Sequence, residues 1–195
     1  DASSYFYRAF FAIRELSNSR GMPTNAIFGF TNMLLKVARD YKPDYLAIVF
    51  DSKEPSVRKD RYAHYKANRP IMPHDLQIQI PYIKNLVNGF TIAAFEKDGI
   101  EADDIIGTIC KKCKEDLDVV IVSGDKDMMQ LIEPKVSMID TMKNKTYGPK
   151  DVVAKLGVEP KLVVDFLGLT GDSSDNIPGV PGIGPKTAQK LLETY

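Results

Sequence analysis

The sequence predicts an α/β fold: a mostly parallel central sheet with flanking helices, followed by a helical appendage. Two observations predict it. Short apolar runs alternate with amphipathic runs of helical period, which is the pattern of βαβ units. After about residue 148 the strand-like runs stop and only helical ones follow. The bulk numbers agree: 195 residues with 44% of hydrophobic type suit one globular unit, or one domain with a small appendage.

YFYRAFFAIREL (5–16) and NAIFGFTNMLLKVARDY (25–41) carry apolar residues at helical spacing. DYLAIVFD (44–51) is a buried strand that ends in an acid. Residues 52–73 have no sustained apolar face and are studded with basic side chains. DLQIQIPYIKNLVNGF (75–90) is helical, with a kink expected at Pro81. TIAAF (91–95) is a short strand, and helix returns from Glu101 to Glu115. Strand DVVIVSGD (118–125), short helix DMMQLI (127–132) and strand KVSMIDT (135–141) follow. PKDVVAKLG and PKLVVDFLGL are helices, each opened by a proline in the first turn. No internal repeat or low-complexity tract is present.

Lys and Arg number 26, as do Asp and Glu, so the net charge is zero. That total argues weakly against a nucleic-acid binder, although the pattern is uneven. No long apolar run spans a membrane and no signal peptide is visible, so an intracellular setting is expected. Cys110 and Cys113 form a CKKC inside a helical run. The two histidines, His64 and His74, lack the spacing to complete a zinc site, and the cysteines read as incidental.

The acids are the informative feature. Asp51 ends a strand, and Asp125 and Asp127 follow another. Glu101, Asp103 and Asp104 crowd one helical turn. Taken singly, each suits a helix cap or turn. Together they fall beyond the carboxyl ends of strands, where open α/β sheets bind ligands. Asp172 and Asp175 begin the appendage and are placed to close over the same rim. Each like-charge pair at ~4 Å costs about 1 kcal/mol in water and about 4 near a protein surface. Cations relieve that cost, and hard oxygen ligands favour Mg²⁺ or Mn²⁺. Eight or nine acids suggest two ions, the arrangement that stabilises both oxygens of a phosphodiester displacement.

Two segments point to nucleic acid. Residues 53–69 interleave Lys53, Arg58, Lys59, Arg61, Lys66 and Arg69 with Tyr62, His64 and Tyr65, which suits phosphate contact and base stacking on a single strand. A solvated surface loop is the plain alternative. NIPGVPGIGPKTAQKLLETY (176–195) fails as a P-loop because Pro185 separates Gly184 from Lys186. It fits a helix–hairpin–helix whose glycines let backbone N–H groups approach phosphates, with Lys186 and Lys190 on the following helix.

DASSYFYRAF, VFD, HYKANRP, GIEADDIIG, SGDKDM and GDSSDNIPGVPGIGPKTA together resemble the 5′-nuclease (5′→3′ exonuclease, flap endonuclease) domain of bacterial DNA polymerase I, over essentially the whole chain. The resemblance implies a PIN-like core over 1–148 with a helical arch (52–73). It also implies a duplex-binding region over 149–195 with a helix–three-turn–helix. It implies metal-binding roles for Asp1, Asp51, Glu101, Asp103 and Asp104 at one position. Asp125, Asp127, Asp172 and Asp175 would serve a second, looser one. Arg8, Lys66 and Arg69 match positions that contact phosphates near the cut, and Tyr65 matches an aromatic at the arch base. Gly179, Gly182, Gly184 and Lys186 match the duplex-binding hairpin, where K⁺ often sits in relatives.

The chain departs from the family in starting at its first aspartate, without the preceding apolar strand, and in having Ala2 where the family has Gly. It also stops as the hairpin's second helix begins. A fragment with reduced stability or activity is therefore expected. The implied activity is metal-dependent cleavage near single-strand/duplex junctions in replication and repair. The expected substrates are 5′ flaps, nicks and primer ends, including RNA–DNA primers. The expected setting is the bacterial cytoplasm near the nucleoid, as a monomer or part of a polymerase chain. The alternatives are a PIN-like ribonuclease, a non-catalytic DNA-binding paralogue, and a small-molecule phosphatase. The paralogue predicts lost acids, and all nine positions are filled.

Overall fold

In chain order the elements are helices α1 (Ala2–Ala12) and α2 (Asn25–Tyr41), strand β1 (Ala47–Val49), and helices α3 (Arg58–Arg61), α4 (His74–Gln77) and α5 (Ile80–Gly89). Strand β2 (Ala93–Phe95), helix α6 (Ala102–Cys113) and strand β3 (Val119–Val122) follow. A 3-10 helix (Lys126–Leu131) leads to β4 (Val136–Asp140), β5 (Lys145–Tyr147) and α7 (Pro149–Leu156). A short 3-10 turn (Pro160–Leu162) precedes α8 (Val163–Thr170), β6 (Gly171–Asp172), β7 (Ile177–Pro178) and α9 (Pro185–Thr194). These come from a computed structural model that describes residues 1–14 and 16–195. Position 15 of the first expected helix lies outside the described residues. The chain forms two compact units, Asp1–Lys53 with Ile71–Ile105, and Glu54–Pro70 with Ile106–Tyr195.

In the first unit α1 packs on α2. Gly29 sets the distance: a Cβ there would meet the Ala9 Cβ at 2.6 Å, so only hydrogen lets the helices approach this closely. Helix α2 has the bounds its apolar spacing predicts, and ends with Lys42 in the left-handed region ahead of Pro43. β1 and β2 pair in parallel, Ala47 against Ala93 through Val49 against Phe95. Phe6, Ala26, Phe30, Leu34, Val37, Ile48, Val49, Leu76, Ile83 and Val87 are buried.

The single kinked helix expected over 75–90 is instead two helices, α4 and α5. Pro81 sits in the first turn of α5, where its missing N–H costs nothing, so it starts a helix and does not bend one. Gln79, fully buried, fills the break. Its Oε1 accepts from the Ala26 N–H at 2.9 Å and the Ile27 N–H at 3.2 Å. These are orphan donors at the start of α2, which has no side-chain cap of its own. Its Nε2 donates to Asn25 Oδ1 at 3.0 Å and to the Asp75 carbonyl at 2.7 Å. Asn25 in turn donates to the Phe10 and Ile13 carbonyls at 2.8 and 2.7 Å, closing the end of α1. Gln79→Leu would strand several buried polar groups, each costing about 1–3 kcal/mol. A loss of about 3 kcal/mol in urea melts is the expected outcome.

In the second unit the strand order is β3-β4-β5, with β3 and β4 parallel and β5 antiparallel. β5 leaves no signal in the sequence, because its three residues are too short a run to show a period. Tyr147 is buried, with the ammonium groups of Lys145 and Lys155 at 4.9 and 5.0 Å from its ring centre. β6 and β7 form a two-residue antiparallel pair around the DSSDN turn, where only helix was expected. Segment 54–70 holds one helical turn, α3, and is otherwise turns, as its lack of an apolar face requires. Gln189 on α9 donates to the Leu156 carbonyl at 2.8 Å, satisfying the end of α7.

Cys110 and Cys113 are free on α6. Burial pushes the Cys110 thiol up to about 11, with the nearby Cys113 adding to the effect. At pH 8 iodoacetamide is expected to label Cys113 at least about ten-fold faster than Cys110, because only the thiolate reacts. Peptide mass spectrometry over a labelling time course measures that ratio.

Candidate metal centre and nucleic-acid interface

The nine acids fall into two sets. In the first unit Asp51 lies just beyond β1 and accepts from the Ala102 N–H at 2.9 Å, capping α6 from a distance. Glu101 is buried immediately before that helix, and Asp103 and Asp104 occupy its first turn. The acids of GIEADD therefore do complement a helix N-terminus. They also gather around Asp1, which caps α1 by accepting from the Ser4 N–H at 3.1 Å. The fields of Asp103 and Asp51 are felt at the backbone nitrogen of Asp1. Those fields place the three residues within electrostatic reach of one another. Arg8 lies one to two turns further along α1.

The second unit brings the other four acids together. Asp125 caps the 3-10 helix, accepting from the Asp127 N–H at 2.9 Å. Asp127 is pushed up to about 6, first by burial and then by Asp125, Asp172 and Asp175, with Lys126 pulling the other way. Its Oδ1 is buried and has no hydrogen-bond partner. Such an atom is costly unless something fills its place. Asp172 is also buried. Burial pushes it up, but two hydrogen bonds from Ser174 and the Lys126 ammonium at 3.1 Å more than offset this, leaving it below its ordinary range.

Asp175 is held differently. The Tyr65 hydroxyl donates to Oδ2 at 3.0 Å, and the Arg69 guanidinium donates to Oδ1 at 2.5 Å. The Lys66 ammonium lies 3.8 Å from Oδ2 and 4.8 Å from the Tyr65 ring centre. Tyr65 is buried in this arrangement, whereas Arg61 is exposed and Arg58 half-buried. Lys126 and Ser174 are site residues beyond those the sequence motifs point to. A lysine between two acids, in GDKDM, was the available signal for the first.

Among the described residues no three His, Cys, Asp or Glu side chains close into a metal cage. Carboxylates within one another's fields suit a hydrated ion, since Mg²⁺ keeps several waters and takes one or two carboxylates directly. The unpartnered Asp127 oxygen and the all-oxygen donor set fit such a hard cation.

The glycine hairpin separates α8 from α9, which pack together. A Cβ at Gly179 would lie 2.4 Å from the Thr170 carbonyl carbon, so the backbones touch there. Gly182 has φ +81, a conformation that favours glycine. Gly184 faces open space and precedes α9. Lys186 and Lys190, one turn apart, are exposed on that helix.

The chain thus combines acid-tipped strands with two helices joined by a glycine hairpin. Two family profiles cover the chain: the 5′-3′ exonuclease N-terminal resolvase-like domain over residues 1–157, and the 5′-3′ exonuclease C-terminal SAM fold over residues 158–195. The chain belongs to the 5′-3′ exonuclease family.

DNA polymerase I of Caldicellulosiruptor bescii is 48% identical over 202 residues, spanning all of this chain and 24% of that protein. A 5′-3′ exonuclease of Aquifex aeolicus is 43% identical over 196 residues, again spanning all of this chain and 68% of that protein. The chain thus spans about a quarter of its polymerase relatives. A bacteriophage T5 flap endonuclease, solved as a pseudo-enzyme-product complex with DNA and metal ions, superposes with TM-score 0.82 at 23% identity. The match covers all of this chain and 73% of that one, a likeness of fold. No described helix is long and apolar enough to cross a membrane.

Proposed function

We propose that this chain is a structure-specific 5′-nuclease that cleaves phosphodiester bonds near single-strand/duplex junctions, as 5′→3′ exonuclease and flap endonuclease. The observation that carries the reading is the buried, unpartnered Asp127 oxygen among Asp125, Asp172 and Asp175, in a chain of this family. Asp1, Asp51, Glu101, Asp103 and Asp104 hold one divalent ion, and the second set lies around the other. When bound, Mg²⁺ or Mn²⁺ supplies Lewis-acid stabilisation and an activated water.

The residues of the chain do the rest. Arg8, Lys66 and Arg69 set positive charge against the phosphate as its charge develops. Arg58 and Arg61 hold the backbone of the 5′ strand, and Tyr65 contacts the unpaired end. Gly179, Gly182 and Gly184 bring backbone close to duplex phosphates, with Lys186 and Lys190 beside them and K⁺ as the cation expected at the hairpin. Residues 1–148, with the 52–73 arch, form the catalytic part, and 149–195 the duplex-binding part. The substrates are 5′ flaps, nicks and RNA–DNA primer ends, in replication and repair. The setting is the bacterial cytoplasm, in a monomer or a longer polymerase chain.

The test is a DNA flap labelled at both ends, incubated with Mg²⁺ or with EDTA. Cutting near the junction that needs Mg²⁺ and vanishes in an Asp103→Asn, Asp104→Asn double variant is the expected result. Equal cutting of a generic phosphoester, or binding without cutting by the folded protein, would refute it. An RNA flap in parallel separates the ribonuclease reading.

A further inference from the structure

We propose that Lys143, Lys145 and Lys155, on the β4–β5 hairpin and α7, form a further phosphate-contact surface that takes the backbone of a nucleic-acid strand. It is additional to segments 53–69 and 176–195. The proposal rests on the nuclease reading for the identity of the strand, while the cluster itself stands on its own geometry.

The local sequence is one-sided: residues 141–156 carry four lysines and one acid, in a chain whose net charge is zero. The fold then gathers three of these lysines. β4 and β5 pair with Asp140 opposite Lys145 and Met138 opposite Tyr147. The period of a strand puts Lys145 and Tyr147 on one face. Tyr147 is buried, and α7 carries Lys155 in its last turn. The Lys145 and Lys155 ammonium groups lie 4.9 and 5.0 Å from the centre of that one ring. At the hairpin tip the Lys143 ammonium reaches Asp140 Oδ2 at 3.5 Å.

One lysine over a tyrosine is ordinary packing, in which the stem covers the ring and the head stays in water. Two on one ring, with a third beside them, bring more positive charge than the local acids answer. Asp140 Oδ1 is engaged by the Met142 and Lys143 N–H groups at 3.1 and 3.3 Å, and Asp151 Oδ2 by the Gly148 N–H at 3.0 Å. The lysines feel one another. Partial burial and then Lys143 hold the Lys155 ammonium below its ordinary range, with Lys145 and Lys126 adding to the effect and Asp140 opposing it. All three side chains are exposed. A polyanion relieves such a cluster, and lysines already ordered on a ring lose less freedom when they bind it.

The position of the cluster favours a nucleic-acid strand over other anions. β3 and β4 are parallel, so Asp140 ends β4 at the same end of the sheet where Asp125 follows β3. Lys126, 3.1 Å from Asp172 Oδ1, lies near enough for its charge to act on Lys155. The lysine surface therefore borders the second set of acids, where a bound strand passes on the nuclease reading.

Anisotropy of a labelled 5′-flap DNA, titrated with the whole chain in EDTA at several salt concentrations, tests this. Each lost phosphate contact should lower the slope of log Kd against log salt by about 0.9. Lys145→Gln with Lys155→Gln should therefore lower it by about two and weaken binding at least about ten-fold near 100 mM salt. Adding Lys143→Gln should lower it by about one more. Lys111→Gln with Lys112→Gln, an equal charge loss at exposed positions of α6, should leave the slope nearly unchanged. Lys145→Arg with Lys155→Arg should keep the parent slope, since charge and not stem packing is at work. In Mg²⁺ the Gln pair should raise KM for the flap and leave kcat within about two-fold.

Equal slopes in the two Gln pairs, or an Arg pair that behaves like its Gln counterpart, would overturn the proposal. So would a polyglutamate peptide that displaces the flap from the parent and loses that ability in the Gln pair, because it would assign the surface to an acidic protein. A parent that cuts the flap while the slope ignores these lysines refutes the surface alone. A parent that binds through them without cutting refutes the nuclease reading alone, and one that does not bind the flap refutes both.

Discussion

Asp127→Asn is expected to stabilise the protein in the absence of metal and to remove most of its cleavage. The stability effect follows from the raised carboxyl. Burial, then Asp125 and Asp172, hold the folded-state value at about 6, above the ordinary carboxylate range. Between pH 4 and 6 the folded state therefore keeps a proton that the unfolded state has released. Metal-free stability falls as pH rises through that window, and the full cost is present above about pH 6. A shift of about two units corresponds to ~3 kcal/mol at most, and partial solvent exposure reduces that to about 1–2.

The Asn variant cannot ionise, so it should be more stable than the parent by that amount at pH 7.5. The difference should vanish near pH 4. Adding Mg²⁺ should raise the midpoint of the parent more than that of the variant, which keeps only the first set of acids, because binding stabilises the state that binds. Cleavage should fall by about 10²-fold or more, the scale of lost electrostatic stabilisation in an active site. Thermal melts in EDTA across pH 4–8, with and without Mg²⁺, measure the first pair. Single-turnover flap cleavage measures the last. A variant less stable than its parent in EDTA would mean that the Asp127 oxygen is not under strain.

Gly179→Ala is expected to cost about 3 kcal/mol or more, the upper range for overpacking. The added Cβ would lie 2.4 Å from the Thr170 carbonyl carbon, 2.6 Å from the Gly171 nitrogen and 2.6 Å from the Leu169 oxygen. These are backbone atoms, which cannot swing aside as a side chain can. The Val180 N–H to Leu169 carbonyl bond at 2.9 Å closes the same junction and would be lost with it. Gly184→Ala is the control. Its Cβ enters open space, and its cost, confined to the helix start, stays below about 1 kcal/mol. Urea melts of the two variants should differ by at least about 2 kcal/mol. Duplex affinity lost in Gly184→Ala then reports contact with the ligand, because the fold is intact.

Much of this molecule could be read in its sequence where one physical cause dominates. Helix α2 shows a single apolar stripe, and its bounds follow from it. The acids announce themselves because so many share strand ends. The sequence signal failed where a long-range contact decides. Residues 75–90 have one continuous period, and the break in it belongs to Gln79, whose partners lie more than fifty residues away at Asn25 and Ala26. A lone glutamine on an apolar helix reads as surface. Asp175 looked like its neighbours, yet its partners Tyr65 and Arg69 are about 110 residues distant. Asp127 and Asp175 are the same residue type in similar motifs, and only the folded surroundings distinguish them.

The chain leaves the first unit after Lys53 and rejoins it at Ile71. The bonds that close that unit, Asp51 to Ala102 and Gln79 to Ala26, are made by residues on either side of the excursion. Lengthening a loop whose ends are already fixed carries only a logarithmic entropy cost, about 0.6 kcal/mol per doubling. Residues 54–63, ahead of the bonds that hold 64–69, are thus a place where insertions or deletions leave the first unit nearly undisturbed. Under the proposed function, selectivity for the substrate end can be re-engineered there by insertion or deletion while the first unit keeps its sequence.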